Sequence, residues 1–306
     1  MRKRQLGNSD LTVSEMGLGC MSLGTNEDHA LSIIDEAIDR GINYLDTADL
    51  YDFGVNEELV GKAIKHRRNE IILATKVGNR WEEGKEGWHW DSSKAHIKEA
   101  VKKSLQRLQT DYIDLYQLHG GTVEDNIDET ISAFEELMQE GTIRYYGISS
   151  IRPNVIKEFV NKSNIVSVMM QYSLLDRRPE ELFPLLKEHG ISVIVRGPLA
   201  KGLLTQKHLS DFNDKFKSNG FLSYSFEELK NLRETTYQTF PKQPLTQLAL
   251  HYCLHDDVVS AVIPGASKTS QLLENLEAIS GESLSKESYE TLQNITKHEA
   301  YEQHRD

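Results

Sequence analysis

Residues 112–149 read YIDLYQLHGGTVEDNIDETISAFEELMQEGTIRYYGIS, and this stretch decides the fold class. Its two ends, from Tyr112 and from Ile143, are short runs rich in β-branched and aromatic residues, which predict strands. Between them, NIDETISAFEELMQEG places apolar residues at helical spacing and ends in a glycine. A near-continuous apolar strand, an amphipathic helix and a second such strand predict parallel strands covered by a helix.

The same alternation runs along the rest of the chain. Helix-period segments include DHALSIIDEAIDRG, SKAHIKEAVKKSLQRL and RPNVIKEFVNK. Eight strand–helix units in 306 residues favour a closed (β/α)8 TIM barrel over an open doubly wound sheet. Besides the two strands above, the strand-like runs are EMGLGC from Glu15, INYLD from Ile42, IILATK from Ile71, IVSVMMQ from Ile165, ISVIVRG from Ile191 and VVSAVIPG from Val258.

Two segments depart from this rhythm. The N-terminal run KRQLGNSDLTVSE predicts a β-hairpin that turns at GNSD, and we expect it to plug the bottom of the barrel. The crossover after strand seven, from about Gly197 to Asp257, is much longer than the others, which is typical of a functional loop. No linker rich in Pro, Gly or Ser divides the chain, so residues 1–306 are predicted to form a single domain.

Charge and composition narrow the class of partner. The formal net charge of -12 argues against nucleic acid and anionic membranes, which select for basic surfaces. No stretch approaches the roughly 20 apolar residues of a membrane helix. Cys20 and Cys253 are too few for a disulfide framework, which fits a reducing cytoplasm. We therefore expect a cytoplasmic protein, monomeric or weakly associated, with neither kind of partner.

Four ionisable residues fall where the catalytic rim of such a barrel lies, at the C-terminal ends of the strands. Asp46 ends strand two and Tyr51 follows in the next loop, while Lys76 ends strand three and His119 ends strand four. Taken singly, each has an ordinary structural explanation as a cap, a solvated cation, a packed ring or a buried histidine. Their meeting on adjacent strands at one depth favours a catalytic site.

These residue types suit the reduction of a carbonyl group. A phenol is a poor proton donor at neutral pH, but a nearby ammonium favours the phenolate, and a carboxylate holds the ammonium charged. Tyr51 is therefore predicted to be the general acid, with Lys76 and Asp46 behind it. A neutral His119 would hydrogen-bond the same carbonyl oxygen. Because no side chain donates hydride, a cofactor is required, and no metal ion is expected.

The chain resembles the aldo-keto reductase family over essentially the whole barrel, from GLGCMSLG to IPGASKTSQLLENLEA. The family's catalytic Asp, Tyr, Lys and His match Asp46, Tyr51, Lys76 and His119, in YLDTADLY, ATK and LYQLHGG. The segments GTIRYYGISS, MMQYSLLDR and GPLAKGLLT match in order as well. Within this family the sequence resembles the uncharacterised Bacillus-type NADPH-dependent oxidoreductases. The resemblance implies reduction of aldehydes or ketones, with a small-molecule carbonyl compound as substrate.

The resemblance also implies which residues contact the cofactor. Ser149 and Gln171 would bind the nicotinamide carboxamide, and Gly19, Cys20 and Met21 would lie beside the ring. The pyrophosphate would lie against the loop of Gly197, Pro198, Leu199, Lys201 and Gly202. The 2′-phosphate would contact Ser267, Lys268 and Gln271, and the adenine would contact Glu274 and Asn275.

Three positions depart from the family pattern. Ser150 stands where Asn is common after the strand-five serine, which would weaken one carboxamide contact. Arg196 replaces a strand-seven aromatic that stacks on nicotinamide; its guanidinium plane can also stack, but its charge would alter the affinity for oxidised against reduced cofactor. The usual basic residue near Gln271 is missing. That absence argues against a strong selectivity for NADP. The family resemblance implies NADPH as the cofactor, with NADH as the alternative.

All the tryptophans of the chain lie in one loop after Lys76. Trp81, Trp88 and Trp90 either cover the barrel edge or form an aromatic wall for a substrate, and the sequence does not choose between these. The glycines at 120 and 121 carry no side chains, so we expect an open pocket beside His119.

Two rival functions stay open. A Schiff-base aldolase would use Lys76 as nucleophile, but it needs an unpaired, desolvated lysine, and Asp46 argues against that. A nicotinamide-binding sensor or regulatory subunit with little turnover would keep the same fold and cofactor residues. The intact catalytic set weighs against this second rival without excluding it.

Overall fold

Buried parallel strands form the centre of the protein. The computed structural model describes residues 1–82 and 84–305. Within these residues the main sheet has eight parallel strands, and all eight strand predictions are confirmed. We number them β1 Leu18–Gly19, β2 Tyr44–Asp46, β3 Ile72–Val77, β4 Ile113–Leu118, β5 Ile143–Ser149, β6 Ser167–Gln171, β7 Ser192–Arg196 and β8 Val259–Ile263.

The strands follow one another around the sheet in chain order, and the sheet closes. Each strand pairs with its neighbour in sequence, from β1 to β8. Parallel bridges then join Met16 to Val262 and Gly19 to Gly265, and the Gly17 amide donates to the Val262 carbonyl at 2.9 Å. These contacts link the first strand to the last, so the predicted barrel is confirmed and the open doubly wound sheet is excluded.

Helices cover the outside of the barrel. Side chains cap several of their N-termini, as Ser93 does by accepting from the His96 amide. The helix Ile127–Gln139 buries Ile131, Phe134 and Leu137 against the sheet, as its helical spacing predicts. The α-helices are Glu27–Asp39, Val55–Ile64, Lys94–Leu108, Ile127–Gln139, Pro153–Lys162, Phe183–Glu188, Asp214–Asn219, Phe226–Thr239, Leu245–Leu254, Thr269–Ser280 and Lys286–Asn294; short 3₁₀ helices are Cys20–Ser22, Tyr51–Gly54, Arg68–Glu70, Arg178–Leu182, Ala200–Gly202 and Leu209–Asp211.

The N-terminal hairpin closes one end of the barrel. Its strands, Lys3–Gln5 and Thr12–Ser14, pair antiparallel. Leu6, Leu11 and Val13 join the apolar cluster inside the barrel. The Gly7 amide donates to the Ser192 hydroxyl at 2.7 Å, where β7 begins. The hairpin therefore plugs the N-terminal ends of the strands and leaves the C-terminal rim open, as predicted.

The long crossover after β7 is also confirmed. The helices Asp214–Asn219 and Phe226–Thr239 precede Leu245–Leu254, and Arg233 ties the segment together by donating to the carbonyls of Leu203 and Lys207. A second small hairpin, Asn79–Arg80 with His89–Trp90, forms in the tryptophan loop after β3. In the described part of the chain, no helix has the length and apolar character needed to cross a membrane.

Candidate active site

Lys76 and Asp46 form a buried ion pair at the C-terminal ends of β3 and β2. The Lys76 Nζ lies 2.5 Å from Asp46 Oδ1, and the lysine side chain is 1% exposed. The same ammonium donates to the Thr47 carbonyl at 2.7 Å and to the Tyr51 hydroxyl at 3.2 Å. Register explains the meeting, because the neighbouring parallel strands bring their carboxyl ends to one rim. One chain of polar contacts thus runs from Asp46 through Lys76 to Tyr51.

A strained turn carries Tyr51 to this position. Asp52 and Phe53 adopt left-handed backbone, with φ of 49° and 51°, and Gly54 follows with φ of 92°. Non-glycine residues rarely adopt this conformation, so the surroundings must hold the turn in place. Trp81 is one such contact, because its Nε1 donates to the Asp49 carbonyl at 3.1 Å and its ring meets that of Phe53 edge-on at 5.7 Å.

His119 lies beside Tyr51 at the end of β4. The two rings meet edge-on with centroids 5.8 Å apart. The His119 amide donates to the Val77 carbonyl at 2.7 Å, which fixes the backbone at the end of the strand. The Nδ1 atom is buried and has no hydrogen-bond partner among the described residues. The structure therefore brings all four predicted catalytic residues to one place.

Burial and mutual charge set the ionisation of these groups. Burial works against the Lys76 ammonium, but the Asp46 carboxylate and Tyr51 outweigh it, and the pKa of Lys76 is raised. Burial raises the pKa of Asp46, against the pull of Lys76 and Gln117. Burial, and then the charges of Lys76 and Arg196, lower the pKa of His119 to about 3. Lys76 is thus held as an ammonium ion, and His119 is neutral at physiological pH.

Sequence reasoning missed Gln117. Its Nε2 donates to Asp46 Oδ2 at 3.2 Å, so the aspartate is held on both oxygens. The available signal was a polar side chain two residues before His119 in an otherwise apolar buried strand, because residues two apart in a strand share a face. Its fully buried position identifies it as part of the support of Asp46.

The residues predicted to contact nicotinamide lie on the same rim. Gly19 ends β1 in register with Asp46 of β2, and Cys20 follows it, fully buried. Burial, and next the Asp46 charge, raise the pKa of the Cys20 thiol, so it stays protonated. Met21 is 63% exposed.

Three strand ends complete this part of the rim. Ser149 ends β5 and is nearly buried, and the next residue, Ser150, donates its amide to the Met169 carbonyl at 3.1 Å. Gln171 of β6 is in register with Arg196 of β7, and Arg196 donates to Gln171 Oε1 at 3.3 Å. The carboxamide roles of Ser149 and Gln171 stay predictions.

The predicted pyrophosphate loop is a tight turn directly after β7. Gly197, Lys201 and Gly202 have φ of 67°, 57° and 90°, in the left-handed region. Pro198 is buried, Leu199 is half-buried, and Lys201 is exposed. Such turns point successive backbone amides in one direction, which suits an anion.

The predicted adenosine contacts lie at the start of the helix Thr269–Ser280, after β8. Among the described residues, no side chain caps the helix at Lys268. Gln271 Oε1 accepts from the Ser267 amide at 2.9 Å and from its hydroxyl at 3.1 Å. Glu274 accepts weakly from Thr246 at 3.5 Å. Ser267, Lys268, Gln271 and Glu274 are exposed whereas Asn275 is buried, and their adenosine contacts stay predictions.

The three tryptophans occupy different environments. Trp81 contacts the Tyr51 turn, as described above, and the Arg107 guanidinium lies 5.7 Å from the centre of its ring. Trp90 is half-buried and donates to Asp125 Oδ1 at 2.8 Å. Trp88 is 55% exposed. A substrate-facing role for these three residues stays a prediction.

The expected open space beside the glycines after His119 is wrong. A Cβ atom at Gly120 would lie 3.1 Å from the Trp90 ring, and one at Gly121 would lie 3.1 Å from Val155 Cγ1. The absent side chains therefore admit Trp90 and Val155 against the backbone. Local sequence cannot reveal this, because Trp90 reaches Gly120 from another loop.

The residues present fit a nicotinamide dinucleotide. The unpartnered Nδ1 of His119 lies on the rim with Tyr51, at the reacting end of such a site. The uncapped helix start at Lys268 and the left-handed turn after β7 offer backbone N–H groups to phosphate. This donor set, with exposed Lys201 and Lys268 beside it, matches the charge of a dinucleotide.

Known proteins resemble this chain in sequence and in structure. A model of the aldo/keto reductase family matches residues 15–297. The chain is 66% identical over 305 residues to the uncharacterized oxidoreductase YqkF of Bacillus subtilis (strain 168), covering 100% of both chains. It is 32% identical over 305 residues to the NADH-specific methylglyoxal reductase of Escherichia coli (strain K12), covering 91% of this chain and 94% of the relative.

The fold is also similar to a solved structure. The aldo-keto reductase AKR11C1 from Bacillus halodurans superposes in its holo form with a TM-score of 0.96, at 62% identity and with 100% of both chains covered. Its apo form superposes with a TM-score of 0.88, at 58% identity and the same coverage.

Proposed function

This chain belongs to the aldo/keto reductase family and is an NAD(P)H-dependent oxidoreductase, and from that premise we propose that it reduces aldehydes or ketones with NADPH, with Tyr51 as the proton donor. The contacts of one ammonium carry the proposal: Lys76 Nζ touches both Asp46 and Tyr51, with His119 beside the phenol. A phenol held by a buried ammonium is suited to donate a proton to a carbonyl oxygen.

The cofactor has one chemical task in this proposal. When bound, reduced nicotinamide supplies a hydride to the carbonyl carbon. Ser149 and Gln171 would hold its carboxamide, with Gly19, Cys20 and Met21 beside the ring. The rest of the dinucleotide would be held by two segments. One is the turn at Gly197, Pro198, Leu199, Lys201 and Gly202, and the other is the helix start with Ser267, Lys268, Gln271, Glu274 and Asn275.

Tyr51 gives its hydroxyl proton to the substrate oxygen as negative charge develops there. The phenolate left behind lies 3.2 Å from the Lys76 ammonium, which stabilises it. Asp46 keeps that ammonium charged and, with the Thr47 carbonyl, fixes its direction. Asp46 and Lys76 thus act through Tyr51.

His119 orients the substrate oxygen as a neutral hydrogen-bond donor. A neutral imidazole carries one N–H, and the buried Nδ1 has no acceptor among the described residues. We assign the proton to Nε2, because a buried N–H without an acceptor is the rarer arrangement. The Nε2–H group then donates to the carbonyl oxygen beside Tyr51.

The arrangement of Lys76 gives no support to the aldolase rival. A Schiff-base lysine must be uncharged and free to attack a carbonyl. Lys76 is paired with Asp46 at 2.5 Å, and its pKa is raised. Both features oppose nucleophilic attack by its amine.

NADPH is the proposed cofactor because Lys268 offers a cation beside the helix start predicted to receive the 2′-phosphate. Since the E. coli relative is described as NADH-specific, both cofactors belong in the test. We also propose that the protein is a cytoplasmic monomer and one domain over 1–306. Its free, buried cysteines support the location, and size-exclusion chromatography tests the monomer.

A panel of aldehydes and ketones, followed at the absorbance of reduced nicotinamide with NADPH and NADH in parallel, tests the function. We expect turnover with part of the panel, and a loss of about 10²- to 10⁴-fold in kcat for Tyr51→Phe with unchanged NADPH binding. Tyr145→Phe is the matched control, because the Tyr145 hydroxyl accepts from the Asp10 backbone amide at the opposite end of the barrel.

Full activity of Tyr51→Phe would remove the proton-donor assignment. Tight NADPH binding with negligible turnover across the whole panel would favour the sensor or regulatory subunit instead.

A further inference from the structure

Arg196 is a cation on the catalytic rim that lacks a carboxylate partner. It is the last residue of β7, and its side chain is exposed. Its side chain takes part in no ion pair within residues 1–82 and 84–305, and the one hydrogen bond of that side chain there goes to Gln171 Oε1, at 3.3 Å. An unneutralised guanidinium therefore lies on the rim, directly beside Gln171.

The contacts of Gln171 keep its amide oxygen turned toward Arg196. Gln171 Nε2 donates to Asp176 Oδ2 at 2.9 Å, and this aspartate side chain is fully buried. Arg178 in turn binds both oxygens of Asp176, at 2.7 and 2.8 Å. The charge of Asp176 is thus matched by Arg178 and leaves that of Arg196 uncompensated.

The charge of Arg196 also affects the pKa of His119. After burial and Lys76, Arg196 is the third cause that lowers the pKa of His119. The contact with Gln171 and this effect on His119 place the guanidinium on the part of the rim that holds both residues. The proposed function places the nicotinamide ring in this region, since Gln171 would hold the carboxamide and His119 the substrate carbonyl.

We propose that Arg196 makes this site bind the reduced nicotinamide cofactor in preference to the oxidised one. The inference rests on the proposed function. The oxidised nicotinamide ring carries a positive charge that the reduced ring lacks, while the phosphates, riboses and adenine are common to both forms. Repulsion by the guanidinium consequently weakens only the oxidised form, and all other contacts cancel in the ratio of the two dissociation constants.

The expected size follows from two like charges near a solvated surface. At a separation of a few ångströms and a dielectric close to that of water, the repulsion changes the ratio by about five-fold. Salt screens such exposed charges, so the preference must weaken as ionic strength rises. A preference that arose from stacking or from the shape of the site would lack this salt dependence.

Calorimetric titration with NADP⁺ and with NADPH tests the inference on four proteins: wild type, Arg196→Gln, Arg196→Lys and Lys242→Gln. Lys242→Gln is the control for net charge, because Lys242 is an exposed cation in the same crossover. We expect the ratio of the NADP⁺ to the NADPH dissociation constant to fall about five-fold in Arg196→Gln. Arg196→Lys and Lys242→Gln should keep the wild-type ratio, and about 0.5 M salt should reduce it in wild type toward that of Arg196→Gln.

An unchanged ratio in Arg196→Gln overturns the inference, even if both dissociation constants rise together through the lost contact with Gln171. Equal binding of both cofactor forms by wild type overturns it too, and in that case the carbonyl panel still decides the proposed function separately. If wild type binds neither form, both fail.

Discussion

Each end of the barrel holds a buried carboxylate in an ion pair, but the two carboxylates have different partners. At the N-terminal end, Asp114 receives Arg144 at 2.8 Å, Arg68 at 2.7 Å and the Leu73 amide at 3.0 Å. Both of its oxygens are bonded, and two cations face one carboxylate. At the C-terminal end, both oxygens of Asp46 are also bonded, but Lys76 is its one cation and the neutral Gln117 amide is its other partner.

The C-terminal end leaves buried polar atoms without partners. His119 Nδ1 and Gln117 Oε1 are unpaired within the described residues, and the Tyr51 turn contains left-handed backbone at Asp52 and Phe53. Such features cost folding free energy, and native proteins keep them where a ligand or a reaction needs them. Around Asp114 the polar groups are therefore paired in a way that favours stability, whereas the C-terminal end carries the unpaired groups and the strained turn that we expect of a reacting site.

Removing Lys76 should give the largest effect on the catalytic end. We expect Lys76→Met to lower kcat by about 10²- to 10⁴-fold, because Tyr51 loses the ammonium that stabilises its phenolate. KM and the NADPH dissociation constant should change much less, since Lys76 acts on proton transfer. Steady-state kinetics and calorimetry measure the two effects.

The control is Lys62→Met, which makes the same substitution in an exposed pair with Glu27. It should leave kcat within about two-fold of wild type. A Lys76→Met protein that loses cofactor binding and turnover in equal measure would assign Lys76 to binding.

Breaking the ion pair at the opposite end should affect stability and leave catalysis intact. We expect Asp114→Asn to lower the free energy of unfolding by about 2 kcal/mol, because it leaves two arginines without their buried carboxylate. The figure is below that of a fully buried pair, since the Arg144 side chain is 39% exposed. Urea unfolding measures the change, and kcat per folded molecule should match wild type.

Asp10→Asn sharpens this test, because Asp10 binds the same Arg144 from an exposed position. It should cost no more than about 0.5 kcal/mol. A loss of kcat in Asp114→Asn without unfolding would show that the two ends are coupled, and the contrast between them would fail.

The neutral His119 predicts a pH dependence of stability at the catalytic end. Its pKa is lowered to about 3 in the folded protein, whereas the unfolded chain binds the proton near the ordinary value of 6.5. Between these values the unfolded state binds more protons, so this contribution to stability is complete above the ordinary pKa and falls as pH falls. The slope is about 1.4 kcal/mol per pH unit.

His119→Gln removes this term, so its unfolding free energy should fall less steeply than that of wild type between about pH 4 and 6. Urea unfolding at a series of pH values measures both slopes. His66→Gln, on the exposed surface, should keep the wild-type slope. Parallel curves for His119→Gln and wild type would mean that His119 is not kept neutral by folding.

Periodicity predicted the barrel and the place where the four candidate catalytic residues meet, because each depends on local pattern and on the common rim of parallel strands. Asp46, Lys76 and His119 could be placed once their strands were recognised. The partners that complete each end could not be placed, because they come from distant parts of the chain. Asp10 reaches Arg144 from the N-terminal hairpin, and Trp90 fills the space beside Gly120 from another loop.

The smallest predicted effect is a difference in kcat between substitutions of two tryptophans in one loop. Trp81 donates to the Asp49 carbonyl and packs on the strained turn, so it acts as a positioning residue for Tyr51, whereas Trp88 is 55% exposed. Trp81→Phe keeps an aromatic ring but loses one hydrogen bond, worth about 1 kcal/mol, and we expect kcat to fall about five-fold with KM little changed.

Trp88→Phe should change kcat by less than about two-fold. A larger solvent deuterium isotope effect on kcat in Trp81→Phe would place the loss in proton transfer from Tyr51, which a general loss of stability would not produce. If instead both variants raise KM and leave kcat unchanged, the loop acts as a wall for substrate, and the strained turn is held without help from the indole. In that case, the residues that support proton transfer from Tyr51 would be limited to those bonded directly to Lys76.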